Sequence, residues 1–117
     1  MRTILAVDDN PTFLIAYRVM VPKDSYQLAT ESPTRALGII SANSRLDLLI
    51  TDLGIPELIE AANKDPDLKI ILATFQPQHI VDVTLKELNC QKVRAAYLQK
   101  PFEKDELLDC VRKLIGE

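Results

Sequence analysis

Short runs of Ile, Leu, Val and Ala recur along this 117-residue chain, separated by longer stretches of helical periodicity, and that alternation leaves few folds open. A strand that is apolar on consecutive residues has to be covered on both faces, which is how a parallel sheet between two helical layers reads. The runs predict strands at about residues 2–7, 25–30, 46–51, 69–73 and 95–98, with the second the weakest. Asn10 as N-cap and Pro11 at the first helical position announce a helix that stops near Pro22, and Ser32-Pro33 repeats the arrangement. A last helix follows Pro101, with Leu107, Leu108, Val111, Leu114 and Ile115 along one stripe. The expected fold class is therefore α/β, one doubly wound (βα)5 unit with helices on both faces, and Asp65-Pro66-Asp67 is the turn into the fourth strand.

Composition narrows the function classes. With 47% apolar and 26% charged residues and no apolar run near the roughly 20 residues of a membrane span, the chain reads as a soluble, cytoplasmic domain. MRTILAVDDN meets two aspartates where a signal peptide would continue apolar, so it is read as a strand. A net charge of -3 without a basic stripe argues against direct nucleic-acid binding and for protein partners. Cys90 and Cys110, 20 residues apart, with His79 as the one histidine, give no zinc spacing; both are expected to be reduced core thiols and His79 a surface residue at a helix start.

In a doubly wound sheet all parallel strands finish at one edge, where ligands bind. The first predicted strand ends in Asp8 and Asp9, the third in Asp52, the fourth in Thr74 and the fifth near Lys100, so three carboxylates, a hydroxyl and an ammonium should converge. Three neighbouring carboxylates repel unless a cation neutralises them, and an oxygen-only donor set suits a hard divalent ion such as Mg²⁺. Lys100 would then hold phosphoryl oxygens, Thr74 would donate to one of them, and a carboxylate beside the metal can attack a phosphoryl group.

With these residues in place the sequence resembles the response-regulator receiver domains of two-component signalling over residues 1–117. The resemblance rests on Asp8-Asp9, on Asp52 followed by Leu53-Gly54-Ile55-Pro56, on Thr74, and on Tyr97-Leu98-Gln99-Lys100-Pro101-Phe102. It implies a flavodoxin-like sheet in the order 2-1-3-4-5. It further implies that Asp52 accepts a phosphoryl group from a histidine kinase or phosphotransfer protein. Asp9, Asp52 and the Gly54 carbonyl would bind Mg²⁺ directly, Asp8 through water, and the Lys100-Pro101 peptide would be cis. Thr74 and Tyr97 would be the switch residues that alter the surface of the fourth helix, fifth strand and fifth helix for a downstream protein target or output domain. Such a domain is not an enzyme with a separate substrate; it accepts and hydrolyses its own aspartyl phosphate. No output domain follows Glu117, so a stand-alone switch is expected, or a piece of a longer regulator.

Three departures from that pattern stand out. The third helix is about two turns short, since only Glu57 to Lys64 precedes the turn. The stretch from Thr74 to Lys100 spans 26 positions, a few more than usual, and carries Val93-Arg94 in place of a glycine-alanine pair, so the fourth helix and its exit should be reshaped. Phe75 stands where the family has a small residue and would narrow access to Asp52; with Gln76 it should govern phosphoryl access and lifetime. Gln76 substitutions are expected to change dephosphorylation more than phosphorylation. The first helix, with Phe13, Leu14, Ile15, Ala16, Tyr17, Val19, Met20 and Val21, has more apolar residues than one buried face needs. It is either a docking surface for a kinase or a homodimer, or simply well buried. The competing readings are a pseudo-receiver, an interaction module of the same fold not regulated by phosphorylation, and a small phosphatase with an aspartyl nucleophile, for which no substrate cap is evident.

Overall fold

A computed structural model describes residues 1–42, 45–90 and 94–116. Strands and helices alternate: β1 (Arg2–Val7), α1 (Pro11–Met20), β2 (Tyr26–Glu31), α2 (Pro33–Ser41), β3 (Leu48–Thr51), α3 (Pro56–Asn63), β4 (Lys69–Thr74), α4 (Gln78–Glu87), β5 (Ala95–Gln99) and α5 (Lys104–Ile115). The five strands form one parallel sheet in the order β2-β1-β3-β4-β5.

Side chains of successive strand residues go to opposite faces, and this splits the core in two. Ile4, Ala6, Leu48, Ile50, Ile71 and Ala73 meet α1 and α5 through Tyr17, Leu107 and Val111. Leu5, Val7, Leu49, Ile70 and Leu72 meet α2, α3 and α4 through Ala36, Leu58, Ile59, Val81 and Leu85. The strand boundaries moved by small amounts. β3 begins at Leu48 rather than residue 46, because the Asp47 carboxylate takes the Thr3 N–H at 2.8 Å and marks the corner of the chain. β2 is locally weak but pairs with β1 over its whole length, from Tyr26 opposite Arg2 to Glu31 opposite Val7, so partner hydrogen bonds override propensity.

Helix signals were obeyed unequally. Asn10 caps α1 as expected, its side chain accepting the Thr12 N–H at 3.0 Å. Ser32 sits at the N-cap of α2 but makes no side-chain cap bond. α5 starts with a reciprocal capping box between Glu103 and Glu106. Within α1 only Tyr17 is fully buried, Phe13, Leu14 and Met20 pack partly, and Ile15 and Val19 are 55% and 76% exposed. The apolar surplus of α1 is thus on its outer face.

The short α3 and the unusual approach to β5 turn out to be one device. Helix ends leave carbonyls without partners, and here the Arg94 guanidinium supplies donors to those of Ala62 at 3.2 Å, Asn63 at 3.3 Å and Asp65 at the end of α3, and of Leu68 at 3.0 Å before β4. It also donates to the Asn63 side-chain oxygen at 3.0 Å, whose amide in turn donates to the Leu88 and Asn89 carbonyls. α4 ends with Asn89 at φ 55°, where the Cys90 N–H bonds the Leu85 carbonyl and the Asn89 N–H that of Lys86. Val93, the other residue of that departure, lies outside the described residues.

Cys90 is buried and Cys110 half-buried, and neither is in a disulfide. Burial pushes both thiols up, against a smaller opposing influence of Arg94 on Cys90 and of Lys113 on Cys110, so they are protonated packing residues at neutral pH. His79 is exposed in the first turn of α4. Among the described residues no helix is long and apolar enough to cross a membrane.

Candidate functional site

The strand register decides which polar residues meet. Ala6 stands opposite Ile50, so Asp8 and Asp52, each two residues further on, leave the sheet side by side. Thr74 pairs with Gln99 at the end of β4, which puts Lys100 next to it, and the Lys100 N–H donates to the Thr74 carbonyl at 2.8 Å. The Lys100-Pro101 peptide is cis, as the resemblance implied.

The centre of the site is the Lys100 ammonium, which lies 2.5 Å from Asp8 and 3.1 Å from Asp52. Lys100 and Asp8 side chains are each 2% exposed, that of Asp52 30%. A buried charge is tolerable only when paired and hydrogen-bonded. Asp8 meets both conditions, accepting also the Asn10 N–H at 2.9 Å, while Asp52 accepts the Leu53 N–H at 2.6 Å and keeps one face to solvent. Asp9 is exposed. Asp9, Asp52, Gly54, Thr74, Phe75, Gln76 and Ile80 line one open cleft of about 440 Å³.

Among the described residues no group of three His, Cys, Asp or Glu side chains is already arranged around a metal position. The donor set still suits Mg²⁺: the available side-chain groups are oxygens, Asp9, Asp52 and Gly54 border the same cleft, and three carboxylates less one ammonium leave a formal charge of −2 for a divalent cation.

Thr74 and Tyr97 are linked through one residue. The Thr74 hydroxyl accepts the Gln76 N–H at 3.2 Å, and the Tyr97 hydroxyl donates to the Gln76 carbonyl at 2.7 Å. The Gln76 backbone thus joins the buried Thr74 hydroxyl to the Tyr97 hydroxyl. Gly54 is exposed, with open space where a side chain would stand.

Two contributors were not picked out for the site by sequence reasoning. The Phe13 ring centroid lies 4.2 Å from the Lys100 ammonium. Tyr17 is fully buried, stacks on Phe102 at 5.6 Å, and its hydroxyl has no hydrogen-bond partner among the described residues. Burial first, and then the charges of Asp8 and Asp52, push its phenol well above the usual range, so it stays neutral. Both were grouped with the apolar residues of the first helix; spacing along a helix does not say which of them face the polar edge.

No protein-family model matches the sequence, and no curated protein does. Solved structures do. The chain is similar to the chemotaxis protein CheY4 of Vibrio cholerae, at 20% identity over 98% of this chain and 99% of that one, with a TM-score of 0.81. It is similar to a putative response regulator from Chloroflexus aurantiacus, at 27% identity over 99% and 98%, TM-score 0.77. The receiver domain of a sensor histidine kinase from Pseudomonas aeruginosa, which has magnesium coordinated in its active-site cleft, is similar at 19% identity over 99% and 98%, TM-score 0.78. The fold of this chain is that of the CheY-like response-regulator receiver domains.

Proposed function

We propose that this chain is a cytoplasmic receiver domain in which Asp52 is the phosphoacceptor of a two-component signalling system. The observation that carries the reading is the Lys100 ammonium bridging Asp8 and Asp52 at the carboxyl edge of the sheet, with Thr74 at the adjacent strand end. Of the two carboxylates that Lys100 bridges, Asp52 is the partly exposed one and so the one able to meet an incoming donor. Its carboxylate oxygen would attack phosphorus as the bond to the donor's imidazole nitrogen breaks, the imidazole leaving with the electron pair and taking up a proton. Lys100 would keep its hold on Asp8 and turn its other hydrogens to the phosphoryl oxygens, and Thr74 would give up the Gln76 N–H to donate to another. Asp9, Asp52 and the Gly54 carbonyl would hold Mg²⁺, with Asp8 behind them, and the ion when bound supplies charge neutralisation for carboxylates and phosphoryl group alike.

The output follows from the Thr74–Gln76–Tyr97 linkage: loss of the Gln76 N–H bond frees the carbonyl that holds Tyr97, changing the α4–β5 surface presented to a downstream protein. The donor would be a histidine kinase or phosphotransfer protein. Gln76 is the polar side chain bordering the mouth of the cleft after Thr74, and Gln76→Ala is expected to change the rate of phosphoryl loss at least threefold more than the rate of gain, read by following the adduct after donor removal.

A second reading has its own observation. Lys100 already bridges Asp8 and Asp52 and balances the charge of one of them, which is how an interaction module of this fold would be stabilised without phosphate chemistry. Intact mass after incubation with acetyl phosphate and Mg²⁺ decides between them. A single adduct, lost with chelator and in Asp52→Asn, is the expected result; no adduct where a known receiver is labelled would favour the module.

A further inference from the structure

The Lys100 ammonium has neighbours that its ion pairs do not explain. The ring centroid of Phe13, from α1, lies 4.2 Å away, and that of Phe75, from the loop after Thr74, lies 5.6 Å away. The two rings meet edge to face, 5.8 Å between centroids at 77°. Phe13 is backed by Phe102 at 6.0 Å, which stacks on Tyr17 at 5.6 Å, so its ring is seated in the core. Phe75, in contrast, is 60% exposed, and burial alone gives it no reason to lie where it does. A cation within about 6 Å of a ring centroid is attracted by the negative face of the ring, the more so where water is displaced, and Lys100 is 2% exposed. Charge, rings and distances describe a clasp with one fixed jaw, Phe13, and one jaw on the loop that carries Thr74 and Gln76.

We propose that Phe13 and Phe75 are positioning residues that clasp the Lys100 ammonium, and that Phe75 ties the lysine to the β4–α4 loop so that ammonium and Thr74 hydroxyl reach the phosphoryl group together. This rests on the phosphoacceptor reading above for its consequence, but not for its geometry. An apolar residue of similar size without a π face cannot replace Phe75 in this role, whereas another aromatic can. A side chain that merely narrows the cleft would be replaced by leucine without loss.

The test uses the whole chain and the variants Phe75→Leu, Phe75→Tyr and Phe13→Leu, with acetyl phosphate and Mg²⁺ as the probe. In the unphosphorylated protein the ε-methylene protons of Lys100 should be shifted upfield by ring currents, partly lost in Phe75→Leu, more so in Phe13→Leu, and kept in Phe75→Tyr. The labelling rate of Asp52 should fall about fivefold in Phe75→Leu and stay within about twofold in Phe75→Tyr. An unshifted Lys100 resonance in the wild-type chain overturns the clasp. A shifted resonance with equal labelling of the leucine variant and wild type overturns its positioning role. No labelling of the wild-type chain rejects the phosphoacceptor reading and the positioning role with it, while the resonance still reports on the clasp.

Discussion

Lys100→Met is expected to lower the unfolding free energy by about 3 to 5 kcal/mol at neutral pH, and Mg²⁺ is expected to restore part of it. Both Lys100 and Asp8 side chains are 2% exposed, so removing the ammonium strands a buried carboxylate that, among the described residues, keeps the Asn10 N–H as donor, beside the partly exposed Asp52. Breaking one side of a buried pair costs far more than the pair contributes over an apolar replacement, because the remaining charge has lost its partner. For a domain whose total stability is on the order of 5–15 kcal/mol, the variant would sit near its folding limit. Methionine keeps the length and apolar stem of lysine, so the effect reports charge rather than a cavity. Two controls sharpen it. Asp8→Asn in the Lys100→Met background should recover most of the loss, since the stranded charge is gone. Magnesium should stabilise the single variant more than the wild-type chain, since the site then carries three carboxylates and no ammonium. Urea denaturation with and without Mg²⁺ measures all of this; a loss under about 1 kcal/mol would mean that solvent already screens the pair.

Arg94→Ala is expected to cost about 3 kcal/mol, a large effect for a residue outside the site. Its guanidinium donates to the carbonyls of Ala62, Asn63, Asp65 and Leu68 and to the Asn63 side chain, tying the end of α3 to the start of β4. Each charged hydrogen bond contributes on the order of 1.5–3 kcal/mol, and the set is not additive, since neighbouring bonds share one group and water takes over some of the freed carbonyls. Arg94→Lys should recover less than half, because a compact ammonium with three donors cannot reproduce a planar fork of five. Amide exchange should speed first in α3 and at the start of β4, since these lose their closure while the sheet stays paired. Uniform destabilisation with no local signature would argue instead that Arg94 acts through the global fold.

The two predictions mark the boundary between what was legible and what was not. Strand positions were readable because a doubly covered parallel strand must be apolar on both faces, and the polar edge was readable because four of the five runs, all but the second, stop at Asp8, Asp52, Thr74 or Lys100. The shortness of α3 and the arginine in the approach to β5 were also visible, each as a separate oddity. That one answers the other was not, because Arg94 and Asn63 are 31 residues apart and only the fold brings the guanidinium to those carbonyls. Phe13 was one of several apolar residues on α1, and its place over Lys100 depends on the angle at which α1 crosses the sheet.

The residue pattern by itself determined the class of fold, the alternation of layers, and the chemical make-up of the edge, since these follow from local periodicity and from where each apolar run ends. Tertiary structure alone decided which of those groups pair. Lys100 settles on Asp8 and Asp52 with two phenylalanine rings beside it, Asp9 is left to solvent, and Gln76 links Thr74 to Tyr97. The reason is physical: hydrogen bonds, ion pairs and ring contacts act over a few ångströms, and which atoms come that close is set by strand register and helix packing across the whole chain.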